Sequence, residues 1–221
     1  MRELLTFREA GKMPIHRWFH YKEGFSPEFV KRVMEGREGP LLDPFMGSGT
    51  TLVAANELCV ESYGLDVSEL SLFVANEKTR EHSDDELEEL EEFAKDIKKW
   101  REEVEWKFEL FPVEKAFPKR NIVPIRRIRA AVESLGKARN LALLALISII
   151  PLTSFVVKEG GVLRIDKRKR VGNTYELYKK AVKKIIEDVR GWEGCHKASP
   201  LMGDARNMPF EDGSIATIIT S

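Results

Sequence analysis

At 221 residues and 43% hydrophobic content the chain can bury a full core, and its 36 basic and 36 acidic side chains cancel, which excludes a global basic field for nucleic acid. Charged residues make up 33% of the sequence against a usual ~25%, a Lys- and Glu-rich composition of the kind found in heat-adapted proteins. Met1-Arg2-Glu3-Leu4 lacks the apolar core of an export signal, and Cys59 and Cys195 match neither a metal nor a CxxC spacing, so a reduced, cytoplasmic protein is expected.

The first helix signal is Ser26-Pro27-Glu28, an N-cap followed by proline in the first turn. Pro40, Leu41 and Leu42 then end a short buried strand. Leu52, Val53, Ala54, Ala55 and Leu58 give a helix with an apolar face. Between strand and helix lies Asp43-Pro44-Phe45-Met46-Gly47-Ser48-Gly49-Thr50-Thr51. Gly47 and Gly49 can take positive φ and admit a ligand to the backbone, and the helix N-terminus offers N–H groups to an anion. A second strand, Ser62-Tyr63-Gly64-Leu65, ends at Asp66. That acid sits close to the offset of about 20 residues at which doubly wound folds place a ribose-binding carboxylate, and it equally suits a turn into the helix from Ser68.

From Ser83 to Ala198 an insertion separates these elements from the next strand. Ser83 and Glu86 form a capping-box pattern, and Leu87, Leu90, Ala94, Ile97, Trp100 and Val104 recur at helical spacing, predicting one long amphipathic helix. Beyond Pro112 basic residues dominate: Lys119, Arg120, Arg126, Arg127, Arg129, Lys137 and Arg139. The apolar run Leu141 to Leu152 predicts a buried helix too short for a bilayer, which takes about 20 residues; no membrane partner is expected. Glu159-Gly160-Gly161-Val162-Leu163-Arg164 reads as a flexible turn presenting Arg164, and Lys167, Arg168, Lys169 and Arg170 follow it. Arg126, Arg127, Arg129, Arg164 and Lys167 to Arg170 are the best candidates for phosphate contact. Tyr175, Leu177, Tyr178, Val182, Ile185, Ile186 and Val189 close the insertion as an amphipathic helix.

The stretch Asp43 to Thr51 resembles the first motif of the S-adenosylmethionine-dependent DNA amino-methyltransferases, which methylate cytosine N4 or adenine N6. His16 to Lys22 with Phe25-Ser26-Pro27 is similar to the family's cofactor-side motif. Gly203-Asp204-Ala205-Arg206 with Pro209-Phe210 is similar to its third-strand exit, and Ile215 to Ser221 to the strand that leads into its catalytic tetrapeptide. The resemblance implies an α/β, Rossmann-like doubly wound methyltransferase sheet with a large helical insertion. Residues 1–82 would form the cofactor-binding part, 83–198 the mainly helical insertion and target-recognition region, and 199–221 the return to the sheet.

By the same resemblance, S-adenosyl-L-methionine is the cofactor and double-stranded DNA the partner. Asp43, Phe45, Gly47, Ser48, Gly49 and Thr50 would surround the methionine part, with Lys22 and Phe25 near it. Asp66 would accept from the ribose diol, Val67 would carry the adenine ring, and Asp204 and Ala205 would read the adenine edge. No metal is implied. Ser221 would open the catalytic tetrapeptide, and a serine there favours cytosine N4 over adenine N6. The family's Pro-Pro-aromatic continuation is absent from the sequence, so the chain alone is expected to be inactive, with a complementary carboxy-terminal polypeptide as a further partner. RNA guanine-N2 methyltransferases share the glycine loop and the Gly-Asp-Ala segment. They remain the alternative, as does a non-catalytic half of a split enzyme.

Overall fold

The computed structural model describes residues 10–21, 26–107 and 109–220; the candidates Lys22, Phe25 and Ser221 lie outside them. The chain divides into two compact units. One comprises the described residues up to Glu81 with those from Asp188 onward, the other His82–Glu187.

The first unit is built on a parallel sheet of four strands. Strands β1 (Leu41–Asp43) and β2 (Ser62–Asp66) pair in parallel, with Leu41 opposite Ser62 and Asp43 opposite Gly64. Strand β5 (Ala198–Met202) joins the outer side of β2, and β6 (Thr217–Ile218) joins the other side of β1. The order is therefore β5-β2-β1-β6, and the direction of strand addition reverses beside β1. In doubly wound folds the ligand crevice lies at such a reversal, outside the carboxyl ends of the strands.

Helices cover this sheet for reasons visible in the residues. Helix α1 (Pro27–Met34) begins where Ser26 Oγ accepts from Phe29 N. Its buried Val30 and Met34 pack with Leu41 of β1, Ile219, and Ala54 and Ala55 of α2 (Thr50–Glu57). Seven of the eight residues of α2 are buried, so alanines at the contact let α1 approach closely. Helix α3 (Glu69–Thr79) starts with Ser68 Oγ accepting from Ser71 N. Leu52 and Ala75 meet under the loop after β1 with Met46.

Cys59 and Cys195 form a disulfide with Cα atoms 5.1 Å apart, correcting the expectation of reduced thiols. Their 136-residue separation hid the pairing, because the chain returns to the end of α2 just before β5. Cys195 N and Lys197 N donate to the carbonyl and side-chain oxygens of Asn56 there.

The second unit carries helices α4 (Asp84–Asp96), α5 (Val113–Ala116), α6 (Lys119–Val132), α7 (Arg139–Thr153) and most of α8 (Thr174–Arg190). Ser83 caps α4 as its sequence indicates, accepting from Glu86 N. The long helix expected through Val104 does not form. After Asp96 a short 3-10 turn covers Ile97–Lys99 and the chain becomes extended at Trp100. Arg101 donates to the carbonyls of Lys98 and Trp100, and Lys179 to that of Lys95. Charged side chains thus satisfy the orphaned end of the helix.

The run Leu141 to Leu152 is helical and largely buried, as α7, and continues through Pro151 to Thr153. Among the described residues no helix is long and apolar enough to cross a membrane. The expected flexible turn after Glu159 is instead the tip of an antiparallel hairpin, β3 (Val156–Glu159) and β4 (Val162–Ile165), with Gly160 at φ 58°. Tyr178 of α8 is fully buried and donates its hydroxyl to Ala142 O at 3.1 Å.

Candidate cofactor site

The loop from β1 into α2 is held by its own acids. Asp43, 3% exposed, accepts from Phe45 N at 3.1 Å with one oxygen and from Thr51 Oγ1 at 2.5 Å with the other. Burial pushes its carboxyl up to about 6, overcoming these hydrogen bonds, and the nearby charge of Asp66 adds to the rise. Gly49 takes φ 78° as the N-cap of α2 and, as a glycine, brings no side-chain cap to that helix. Its first N–H groups therefore face the loop with the positive end of the helix dipole.

Gly47, at φ 51°, has no room for a side chain: a Cβ there would lie 2.8 Å from Cε1 of Tyr21. Gly47 N donates to Asp66 Oδ2 at 3.0 Å and Ser68 N to Asp66 Oδ1 at 2.9 Å. One carboxylate thus ties the loop after β1 to the turn after β2. Each oxygen keeps a second acceptor direction, so the turn role and a diol-binding role are compatible at Asp66.

Apolar side chains crown the same edge of the sheet. Phe45 after β1 is 60% exposed, Val67 after β2 is 73% exposed, and Met202 at the end of β5 is 48% exposed. Leu70, in the first turn of α3, is also exposed. Met202 and Leu70 were not singled out from sequence; only their place beside the strand ends identifies them. Beyond β5, Gly203 N donates to Asp66 O at 3.1 Å. Asp204 is partly exposed and pairs with Arg206, which holds its carboxyl below the usual range. Ala205 is partly exposed in the same turn.

A tight glycine turn packed against Tyr21 and Ala75, a helix start whose N-cap is glycine, an acid at the second strand end and an apolar rim fit a cofactor with an amino-acid part, a ribose and a flat ring. Asp43, however, spends its hydrogen bonds on the loop itself. Thr50 and Ser48 are buried beside it.

The basic candidates of the second unit are mostly engaged within that unit. Arg127 pairs with Glu103, Arg129 with Glu133, Arg164 with Glu159 and Asp166, and Arg168 with Asp166. Lys169 Nζ donates to the carbonyls of Pro151 and Val156. Arg126 is half-buried, its Nε without a hydrogen-bond partner among the described residues. Lys167 and Arg170 are exposed.

The parallel sheet and its covering helices define a fold of the Rossmann-like methyltransferase class. No family model matches the sequence. The chain is 30% identical over 198 residues to the type II methyltransferase M.BsoBI of Geobacillus stearothermophilus, covering 86% of this chain and 38% of that protein. It is 27% identical over 177 residues to the type II methyltransferase M.AvaI of Nostoc sp., covering 76% of this chain and 36% of that protein. A third relative, the type II methyltransferase M.MjaII of Methanocaldococcus jannaschii, is 32% identical over 91 residues, 40% of this chain and 17% of that protein. Over most of its own length the chain is similar to type II methyltransferases, and it spans a little over a third of the length of the first two relatives. Among solved structures, the rRNA methyltransferase aviRa from Streptomyces viridochromogenes aligns with 87% of this chain and 49% of that one at 13% identity. Its TM-score of 0.27 is too low to bear on function.

Proposed function

We propose that this chain forms the S-adenosylmethionine-binding part of a DNA methyltransferase that acts on an exocyclic base amine, cytosine N4 in preference to adenine N6. The observation that carries the reading is the Asp66 carboxylate, which gathers the glycine loop and the second strand end around one point. The start of α2 would receive the cofactor carboxylate, Asp66 the ribose diol, and Val67 and Phe45 the flat ring. Asp204 and Ala205 would meet the adenine edge once Arg206 yields its pair with Asp204. Solvent screens this exposed pair, so exchange is inexpensive. Bound there, S-adenosylmethionine supplies an electrophilic methyl group.

DNA as the partner rests on kinship with the type II enzymes. Lys167 and Arg170, with Arg127, Arg129, Arg164 and Arg168 once exchanged from their acidic partners, are proposed to meet phosphates. Cytosine N4 rests on the serine at position 221.

The test is calorimetric titration with S-adenosylhomocysteine. One-to-one binding that weakens on charge removal at Asp66 supports the reading, and no heat of binding at millimolar ligand removes it. The base is decided separately, by digesting methylated oligonucleotides to nucleosides: N6-methyladenine as the product would overturn the N4 assignment.

A further inference from the structure

Asp188, in the last turn of α8, is 4% exposed and receives four hydrogen bonds from one short segment near the amino terminus. Ile15 N donates at 2.9 Å, Arg17 Nε at 3.0 Å and Trp18 Nε1 at 2.9 Å, all to Oδ2. Arg17 Nη2 donates to Oδ1 at 2.5 Å. A buried carboxylate with so many donors is a fixed anchor, because losing it would strand every donor at once.

The anchored segment is held in a shape it would not choose. Ile15 lies at φ 60°, ψ −49°, a backbone region hostile to a β-branched side chain. Its N–H is one of the groups that Asp188 accepts. On the far side of the turn, Lys78 Nζ donates to His16 O at 3.3 Å, and buried His16 places Nε2 3.6 Å from Glu57 Oε1. The segment is therefore clamped from two directions.

Three residues further on it delivers Tyr21. The ring of Tyr21 occupies the space a Cβ of Gly47 would need, with Cε1 2.8 Å and Cζ 3.2 Å from that position. The strap thus starts at a buried carboxylate and ends against the glycine loop.

We propose that Asp188 is a positioning residue for the cofactor site: by fixing the strained turn at Ile15 it keeps the strap closed and Tyr21 seated on Gly47. The proposal rests on the cofactor reading above. The carboxylate does not touch the cofactor; its effect reaches the loop through Tyr21.

The experiment compares S-adenosylhomocysteine affinity and amide hydrogen exchange in the wild type, Asp188→Asn, Asp188→Ala and Tyr178→Phe. Asp188→Asn can keep the three bonds to Oδ2 but sets an amide N–H against Arg17 Nη2, whereas Asp188→Ala loses all four. Tyr178→Phe removes a buried hydrogen bond away from the strap and serves as the control for general destabilisation. The expected result is graded: a several-fold rise in Kd for Asn, a rise of more than tenfold for Ala, and wild-type affinity for Tyr178→Phe. Faster exchange at Gly47 and Ser48 should accompany the rise in the two Asp188 variants even without ligand.

Wild-type affinity and loop protection in Asp188→Ala would overturn the proposal, as would equal weakening in Tyr178→Phe. A wild-type chain that binds no S-adenosylhomocysteine would overturn the cofactor reading itself, an outcome distinct from an Asp188 variant that binds as well as wild type.

Discussion

Gly47 N and Asp66 Oδ2 lie 3.0 Å apart, so the loop that follows the first strand is fastened to the acid that ends the second. Asp66→Ala should therefore act twice, removing an acceptor from the ribose position and leaving Gly47 N and Ser68 N without their partner. A loss of about 1–3 kcal/mol in S-adenosylhomocysteine affinity is expected, roughly a 5- to 150-fold rise in Kd. Calorimetry that finds an unchanged Kd removes Asp66 from the site.

Gly47→Ala places a methyl group 2.8 Å from the ring of Tyr21 at φ 51°. The ring must move, and the positive φ adds strain of about 1 kcal/mol or more. Lower thermal stability and weaker cofactor binding should follow. Adding Tyr21→Ala should recover part of the stability but not the affinity. If the double variant is no more stable than Gly47→Ala, the ring contact is not what limits position 47.

Asp43 gives the site a pH dependence of definite sign. Its carboxyl titrates at about 6 in the folded chain and at 3.8 when unperturbed. Between these values the folded state keeps a proton that the unfolded state has released, so stability falls as pH rises from about 4 to about 6 and is level above. The full effect is on the order of 3 kcal/mol. Urea denaturation across this window should show the decline, and Asp43→Asn should flatten it. A decline that survives in the variant assigns the titration elsewhere.

The glycine loop, both central strands, the caps at Ser26 and Ser83 and the apolar faces of α7 and α8 were legible in the sequence, because each rests on local spacing. The place of Asp66 at the end of β2 was legible for the same reason. The disulfide, the Asp188 anchor and the exposed Met202 were not: they join positions separated by whole elements, and periodicity carries no information across such gaps. The end of α4 failed differently. Helical spacing persists through Trp100 and Val104, but Arg101 and Lys179 satisfy the helix end earlier. For the basic cluster, sequence displayed the charges but not all their partners: Glu133 lies one helical turn beyond Arg129, whereas Glu103, 24 residues before Arg127, becomes its neighbour only once the unit folds.

Lys78 is 2% exposed and titrates near 7 instead of 10.5, because burial disfavours its charged form. His16, buried beside it, is likewise lowered, while Glu57 and Lys31 lie within range of the same imidazole. Above about pH 7 the folded state has released the lysine proton while the unfolded state still holds it until about 10.5. Stability should therefore rise with pH across that interval, by several kcal/mol as an order of magnitude. Lys78→Met keeps most of the volume without the charge, so it should be more stable than wild type at pH 7 and lack the alkaline rise. A variant less stable at pH 7 would mean that the bond from Lys78 to His16 O outweighs the cost of burying the ammonium.

The disulfide between Cys59 and Cys195 closes a loop that contains the entire second unit, across a separation of 136 residues. In the chain-entropy picture a crosslink of this span stabilises by about 4–5 kcal/mol, by restricting the unfolded chain. It also fastens the end of α2 to the segment entering β5, so reduction should loosen the return strand before it touches β1. Thermal unfolding with and without dithiothreitol, and of Cys59→Ser with Cys195→Ser, should show a fall in Tm on the order of 10 °C. Hydrogen exchange should rise first at Ala198 to Met202. Because oxidising compartments and the interiors of heat-adapted cells both sustain disulfides, the crosslink fits the highly charged composition without fixing a compartment. Equal Tm values in the oxidised and reduced chains would show that the non-covalent ties from Asn56 to Cys195 and Lys197 already hold the return strand in place.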